Sequence, residues 1–352
     1  MSAGGTAVAP ARRAPRAAFL KLFARNRLAA AGGVILIAVV LVAALAPLLP
    51  LQDPYAQDTA QKFLRPFSAG HLLGTDHLGR DILSRLIWGS VLSLIVGVVA
   101  SVGAAFFGSV IGITAGYFGG RIDNWLMRAI DMLMAFPYIL LALAIVAALG
   151  PGLTNALLAV AVVNIPFFAR NIRGVTVSLA HKEFVDAARL AGMTDLRIMT
   201  SEILPNVLPL IVIAMSTTVG WMILETAGLS FLGLGSQPPV ADLGSMLGEG
   251  RNALITDPHA SIVPGLMIFI IVISVNLLGD GIRDALDPRL RSGALTRPMA
   301  RTLVDREAAP EPPADPALLD VQDLRTEFRV GSRTLQALSG VTFRCTRANV
   351  SD

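Results

Sequence analysis

Six apolar runs govern what this chain can become. They lie at about Leu28–Leu49, Ser90–Gly116, Met132–Leu149, Leu153–Phe168, Asn206–Leu224 and Ala260–Leu278. A helix needs about 20 apolar residues to cross roughly 30 Å of hydrocarbon. It also satisfies its own backbone hydrogen bonds there. The expectation is therefore an all-α membrane protein built as a six-helix transmembrane bundle. Only 15% of the residues are charged, against about 25% in an ordinary soluble domain. The net charge of +4 is spread by loop rather than gathered on one face, which fits membrane topology better than nucleic-acid binding.

The loops sort by charge. Residues 1–27, the Tyr117–Ala129 link, the Arg170–Pro205 loop and the tail as far as Arg301 carry about 18 Lys and Arg, while Asp53–Trp88, Gly150-Pro151-Gly152 and Gly228–Asp257 carry about 5. The positive-inside rule places the first set, with both termini, in the cytoplasm. Ala44-Leu45-Ala46 resembles a signal-peptidase site. The run before it exceeds the 7–15 residues of a secretory core, so a retained first span is expected. The single cysteine, Cys345, allows no internal disulfide, and His71, His77, His181 and His259 show no metal-ligand spacing.

Between the first two runs, His71–Trp88 has Leu78, Ile82, Leu86 and Ile87 at helical spacing. A surface helix capped by Thr75 or Asp76 is expected, with Asp81 and Arg85 as an i,i+4 pair. Gly97, Gly108, Gly112 and Gly116 in the second run let helices approach closely. Pro137 marks a bend in the third run.

Lys182–Pro205 (KEFVDAARLAGMTDLRIMTSEILP) is polar and helix-prone, yet lies between two spans. Lys182, Asp186, Arg189 and Met193 share one helical face, and Phe184, Ala187, Ala188 and Ala191 the other. Small residues suit a docking surface. Gly192 ends this helix by adopting a left-handed turn. Thr194 or Asp195 starts a second helix running to Leu204-Pro205, and Pro205 and Pro209 mark the return to the membrane.

Asp186-Ala187-Ala188, three residues, Gly192, then Leu204-Pro205 resembles the EAA loop of the inner-membrane permeases of ABC importers. Asp186 stands where that family usually has Glu, and Glu202 at its isoleucine position with Ile203 beside it. Leu73-Gly74-Thr75-Asp76 with Gly79–Leu86, Leu229–Gly235 with Gln237-Pro238-Pro239, and Gly248–Asn252 are similar to the second membrane subunit of the dipeptide/oligopeptide/nickel permeases. Ala241-Asp242 departs where an aromatic is expected. The likeness covers roughly residues 20–292.

The resemblance implies one half of a transmembrane pathway for di- or oligopeptides, or nickel, in the bacterial inner membrane. A second permease, two ABC ATPases and an extracytoplasmic binding protein are the implied partners. Glu183, Asp186, Ala187, Ala188, Gly192, Leu204 and Pro205 form the implied ATPase-coupling loop. No catalytic residue, metal or cofactor is expected on this chain, ATP and Mg belonging to the partner ATPases. Glu225, Asn164 and Asn276 are the membrane-embedded polar candidates. For Glu225 the bland alternative is a bond to a neighbouring span, and the two asparagines read as interhelical hydrogen-bonders. An ion-coupled secondary transporter is the rival class, although no internal repeat is visible.

The domain expectation is a basic N-terminus at 1–27, a permease domain at 28–292, a Pro-rich linker at 293–317 and a fragment at 318–352. Leu318–Leu324 and Leu338–Phe343 resemble the opening strands of an ABC ATPase. No G-x-x-x-x-G-K-[ST] follows them. The expectation is a fusion cut short near Arg344, with a tail of mostly irregular and β structure and no nucleotide site.

Overall fold

The computed structural model describes residues 26–286, 319–330 and 333–345. The basic N-terminus up to residue 25 and the Pro-rich 293–317 stretch lie outside the described residues. The chain divides into two units, Met1–Leu286 and Asp287–Asp352.

The first unit is helical. α1 spans Arg27–Ala44 and α2 Ile82–Phe118. α3 (Gly120–Met134) and α4 (Tyr138–Leu149) follow, then α5 (Leu153–Ala180) and the short α6 (Glu183–Leu190). α7 (Asp195–Ile198) passes through a π-turn at Met199–Ile203 into α8 (Leu204–Phe231). α9 (Leu243–Gly250) and α10 (His259–Leu286) complete the unit. Five of these helical stretches are long and apolar enough to cross a membrane, and the α3–α4 pair makes a sixth if counted as one broken span.

Glycine sets the closest helix contact. α2 packs mainly on α5, and Gly108, Gly112 and Gly116 recur every four residues along the seam. A Cβ at Gly112 would lie 2.6 Å from the Ala169 carbonyl, and one at Gly116 2.7 Å from Thr176 Cβ. A β-carbon cannot occupy either position, so the two backbones touch directly, as expected for small residues at this spacing. α8 packs against α2 and α10, and α10 against α1.

One expectation is sharpened and two are corrected. The bend expected at Pro137 is present, and α3 and α4 meet there at 89°. Pro137 lacks an N–H, and α3 is held along the bundle by charge: Arg173 grips Asp123 through two nitrogens, and Arg170 Nη2 lies 2.5 Å from Asp131 Oδ1. Second, no surface helix is capped by Thr75 or Asp76. α2 starts at Ile82, capped by Asp81, whose carboxylate accepts the Ser84 N–H at 2.8 Å. Asp81 pairs with His71 (2.9 Å), leaving Arg85 to other partners. Third, the second loop helix does not stop at Leu204-Pro205. The helical path is continuous from Asp195 to Phe231. In the π-turn the Leu204 N–H reaches back to the Met199 carbonyl, and Pro205, which has no N–H to donate, sits in the first turn of α8, where proline is tolerated.

The described residues of the second unit form a hairpin, with β1 (Leu319–Val330) antiparallel to β2 (Arg333–Cys345). Its register runs from Leu319 opposite Cys345 to Val330 opposite Arg333, with irregularities between Val321 and Glu327.

Candidate functional site

α6 projects from one end of the bundle between α5 and α7. Its buried face is Val185 and Ala188, one turn apart, packed in the same cluster as Ile198, Ile203 and Val207. This corrects the expected faces. Ala188 points inward, so the exposed apolar surface is Phe184, Ala187, Ala191 and Leu190, which is 90% exposed, beside the exposed charges of Glu183, Asp186 and Arg189. Glu183 and Asp186 sit in the first turn and Arg189 in the last, charges that complement the helix dipole. Arg189 also reaches Asp186 at 3.2 Å.

Gly192 closes the helix with φ +76°. Its N–H donates to the Arg189 carbonyl (3.0 Å), and that of Met193 to the Ala188 carbonyl (3.1 Å). Those two bonds define a Schellman cap. Met193 returns to the buried cluster beside Ala188. Leu204 is half-buried and Pro205 exposed at the start of α8.

The loop is tied to α2 by a residue that no loop motif contains. Tyr117 Oη, near the end of α2, donates to Asp195 Oδ1 at 2.7 Å. The Arg189 guanidinium lies 5.2 Å from the centre of the same ring, a cation–π distance. One tyrosine thus holds both arms of the loop, α6 through Arg189 and α7 through Asp195.

Deeper in the bundle, Glu225 accepts hydrogen bonds from Asn164 Nδ2 of α5 and Trp221 Nε1 of α8, each at 2.7 Å. Asn164 is therefore the interhelical bonder expected of it. Asn276 is not. It makes no hydrogen bond among the described residues, and its side chain fills the space where Gly220 has no Cβ.

Residues 108–292, which carry this whole loop and Glu225, match the family described as binding-protein-dependent transport system inner membrane component. The chain belongs to that family. Residues 15–66 of this permease match a second description, the N-terminal transmembrane domain of oligopeptide transport permease C. The permease is 44% identical over 287 residues to the dipeptide transport system permease protein DppC of Alkalihalophilus pseudofirmus, covering 82% of this chain and 92% of the relative. It is 41% identical over 280 residues to the glutathione transport system permease protein GsiD of Pectobacterium atrosepticum, covering 80% and 93%. A solved inward-facing form of the MetNI methionine ABC transporter matches at 20% identity and TM-score 0.47, over 58% of this chain and 96% of that one.

The end of the permease opposite α6 is closed by a buried charge network that sequence reasoning missed. Arg80 (1% exposed) bonds Asp76 Oδ2 at 2.6 Å and Glu249 Oε2 at 2.5 Å. Arg85, fully buried, shares Glu249 at 3.4 Å and lies 3.7 Å from Asp76. Two guanidinium groups and two carboxylates balance one another, as buried ions must. Asp76, His77 and Glu249 place ligand atoms within 4.8 Å of one another. Both carboxylates are already committed to Arg80, so a cation there would have to displace a guanidinium. Asp242 caps α9 through the Ser245 N–H (3.0 Å). Burial pushes its carboxyl above the usual range, against the hydrogen bonds that favour its charged form.

Proposed function

We propose that this permease is one half of the membrane pathway of an ATP-driven importer of short peptides. It is driven through α6 and the Gly192 turn by ATPase subunits that it recruits. The observation that carries the reading is the join between loop and bundle. α6 presents an outward surface of Phe184, Ala187, Leu190 and Ala191, its inward face is packed into the bundle core, and the chain beyond the turn runs as one helix into α8. A partner pressing on α6 therefore moves α8 directly, and α2 through Tyr117. Relatives named for dipeptide and glutathione transport support short peptides as the cargo.

In this reading the α6 end, rich in Lys and Arg, faces the cytoplasm. The Arg80–Glu249 end faces the binding protein. A second permease completes the pathway, and ATP and Mg are held by the ATPases. This chain positions and transmits; it contributes no hydrolytic group.

Uptake by a deletion strain carrying this permease, tested with di- and oligopeptides and with nickel, checks the cargo. ATPase subunits should copurify with the wild type and not with the Asp186→Lys variant, which still inserts in the membrane. Transport that survives ATP depletion and collapses with the ion gradient would contradict the proposal.

A further inference from the structure

Glu225 is the observation that the coupling function leaves unused. Both its oxygens accept, one from an amide N–H and one from an indole N–H. Indole nitrogen can only donate. Both contacts therefore suit the ionised carboxylate, and no basic side chain among the described residues pairs with it.

The group lies deep. The Gly152 N–H donates to the Leu234 carbonyl at 3.1 Å, which sets one end of α5 level with the end of α8. Counting at 1.5 Å per residue along each helix places Asn164 and Tyr138 about 17 Å from the ends of α5 and α4, and Glu225 about 9 Å inside the end of α8, within a stretch apolar enough to cross the hydrocarbon. A carboxylate is costly against lipid at this depth and belongs on a water-filled path or against a cation.

The surroundings favour a cation that comes and goes. Glu225 opens on a cavity of about 240 Å³ walled by Tyr138, Ile139, Trp221 and Leu224. The Tyr138 and Trp221 rings stand 5.7 Å apart, and both are half exposed. A second cavity of about 400 Å³ begins at the same Trp221 and Leu224 and continues past Thr217 and Asn276 to Asp280. Thr217, Trp221 and Leu224 follow one another at i, i+4 and i+7, so a single stripe of α8 lines both spaces. A carboxylate and two aromatic rings lining one cavity are the groups that bind ammonium ions, by charge and by cation–π attraction.

We propose that Glu225, with Trp221 and Tyr138, forms a site within the helical bundle for the protonated amino group of the peptide in transit. The proposal rests on the peptide-import reading.

The test uses the complete transporter in proteoliposomes and a carbodiimide that modifies intramembrane carboxylates, with labelling at Glu225 read by peptide mass spectrometry. Ala-Ala and propylammonium should slow labelling of Glu225 by about tenfold, the scale of one charge-assisted contact. N-acetyl-Ala-Ala, which lacks the ammonium, should leave labelling unchanged. Glu225→Gln should lower Ala-Ala uptake by about tenfold, with Glu225→Asp restoring part of it. Equal labelling with and without both amines overturns the site. So does labelling that is low and insensitive to amines while Glu225→Gln disrupts the complex, since that marks a basic partner on the second permease. If wild-type vesicles take up no Ala-Ala, the peptide reading fails, and propylammonium alone then decides the amine site.

Discussion

Tyr117 and Asp195 lie 78 residues apart in sequence and 2.7 Å apart in space. This phenol–carboxylate bond joins the end of α2 to the start of the helical path that becomes α8. It also sets the ring on which the Arg189 guanidinium rests. The loop proposed to couple to the ATPases is therefore braced from a third helix, in addition to the two that it connects.

Tyr117→Phe keeps the ring and removes the hydroxyl. The lost bond is worth about 1 kcal/mol, and the ring still supports Arg189. Peptide taken up per ATP hydrolysed should fall roughly fivefold, with normal complex assembly. Paired uptake and phosphate-release assays on the same vesicles measure it. An unchanged ratio would leave the bond without a coupling role.

Gly192 separates two effects. A Cβ there meets no atom within 4 Å, but φ is +76°. Gly192→Ala should therefore cost only the left-handed backbone penalty, about 1–2 kcal/mol, and retain measurable uptake. Gly192→Pro fixes φ near −65° and deletes the N–H that bonds the Arg189 carbonyl. It should abolish uptake while membrane insertion, followed by fractionation, stays intact.

Gly112→Val places a side chain where the Ala169 carbonyl and the Arg173 backbone nitrogen already stand, 2.6 and 3.0 Å from the Cβ position. Overpacking costs on the order of 1–3 kcal/mol. The melting temperature in detergent should drop, more than for the same change at Gly174, which has open space around it.

Asp242 predicts a pH trend. Its carboxyl is raised in the folded protein. Below the unfolded value both states are protonated and stability is complete. As pH rises from roughly 4 upward, the unfolded state ionises first and stability is lost until the folded group ionises too. Asn also caps helices well, so Asp242→Asn should flatten this decline in thermal unfolding across pH. An equally steep decline in the variant would assign it to another group.

What was legible in the sequence is what local chemistry decides. The glycine spacing in α2 announced a close helix approach, without naming α5 as the partner, and Gly192 announced the turn. The stretch Asp186–Gly192 with Leu204-Pro205 announced the family. Pro137 announced a bend, while its angle depends on Arg170 and Arg173 holding Asp131 and Asp123 from another helix. The inward turn of Ala188 was not legible, because Val185 beside it is the stronger apolar anchor of an eight-residue helix. Nor were Tyr117, Arg80 and Arg85. Each lies within or beside an apolar segment, and each has a partner 78 to 169 residues away, which no local spacing reveals even where a near one, such as Asp76 for Arg80, exists.

The π-turn at Met199–Ile203 has a consequence for amplitude. Because it carries the helix past Pro205 unbroken, Asp195–Phe231 is a lever of 37 residues, about 55 Å long. Tilting such a lever by about 5° about one end displaces the other by about 5 Å, close to one helical pitch. In the proposed cycle, a tilt of that size about the loop end carries the far end of α8 by about the width of one extended strand.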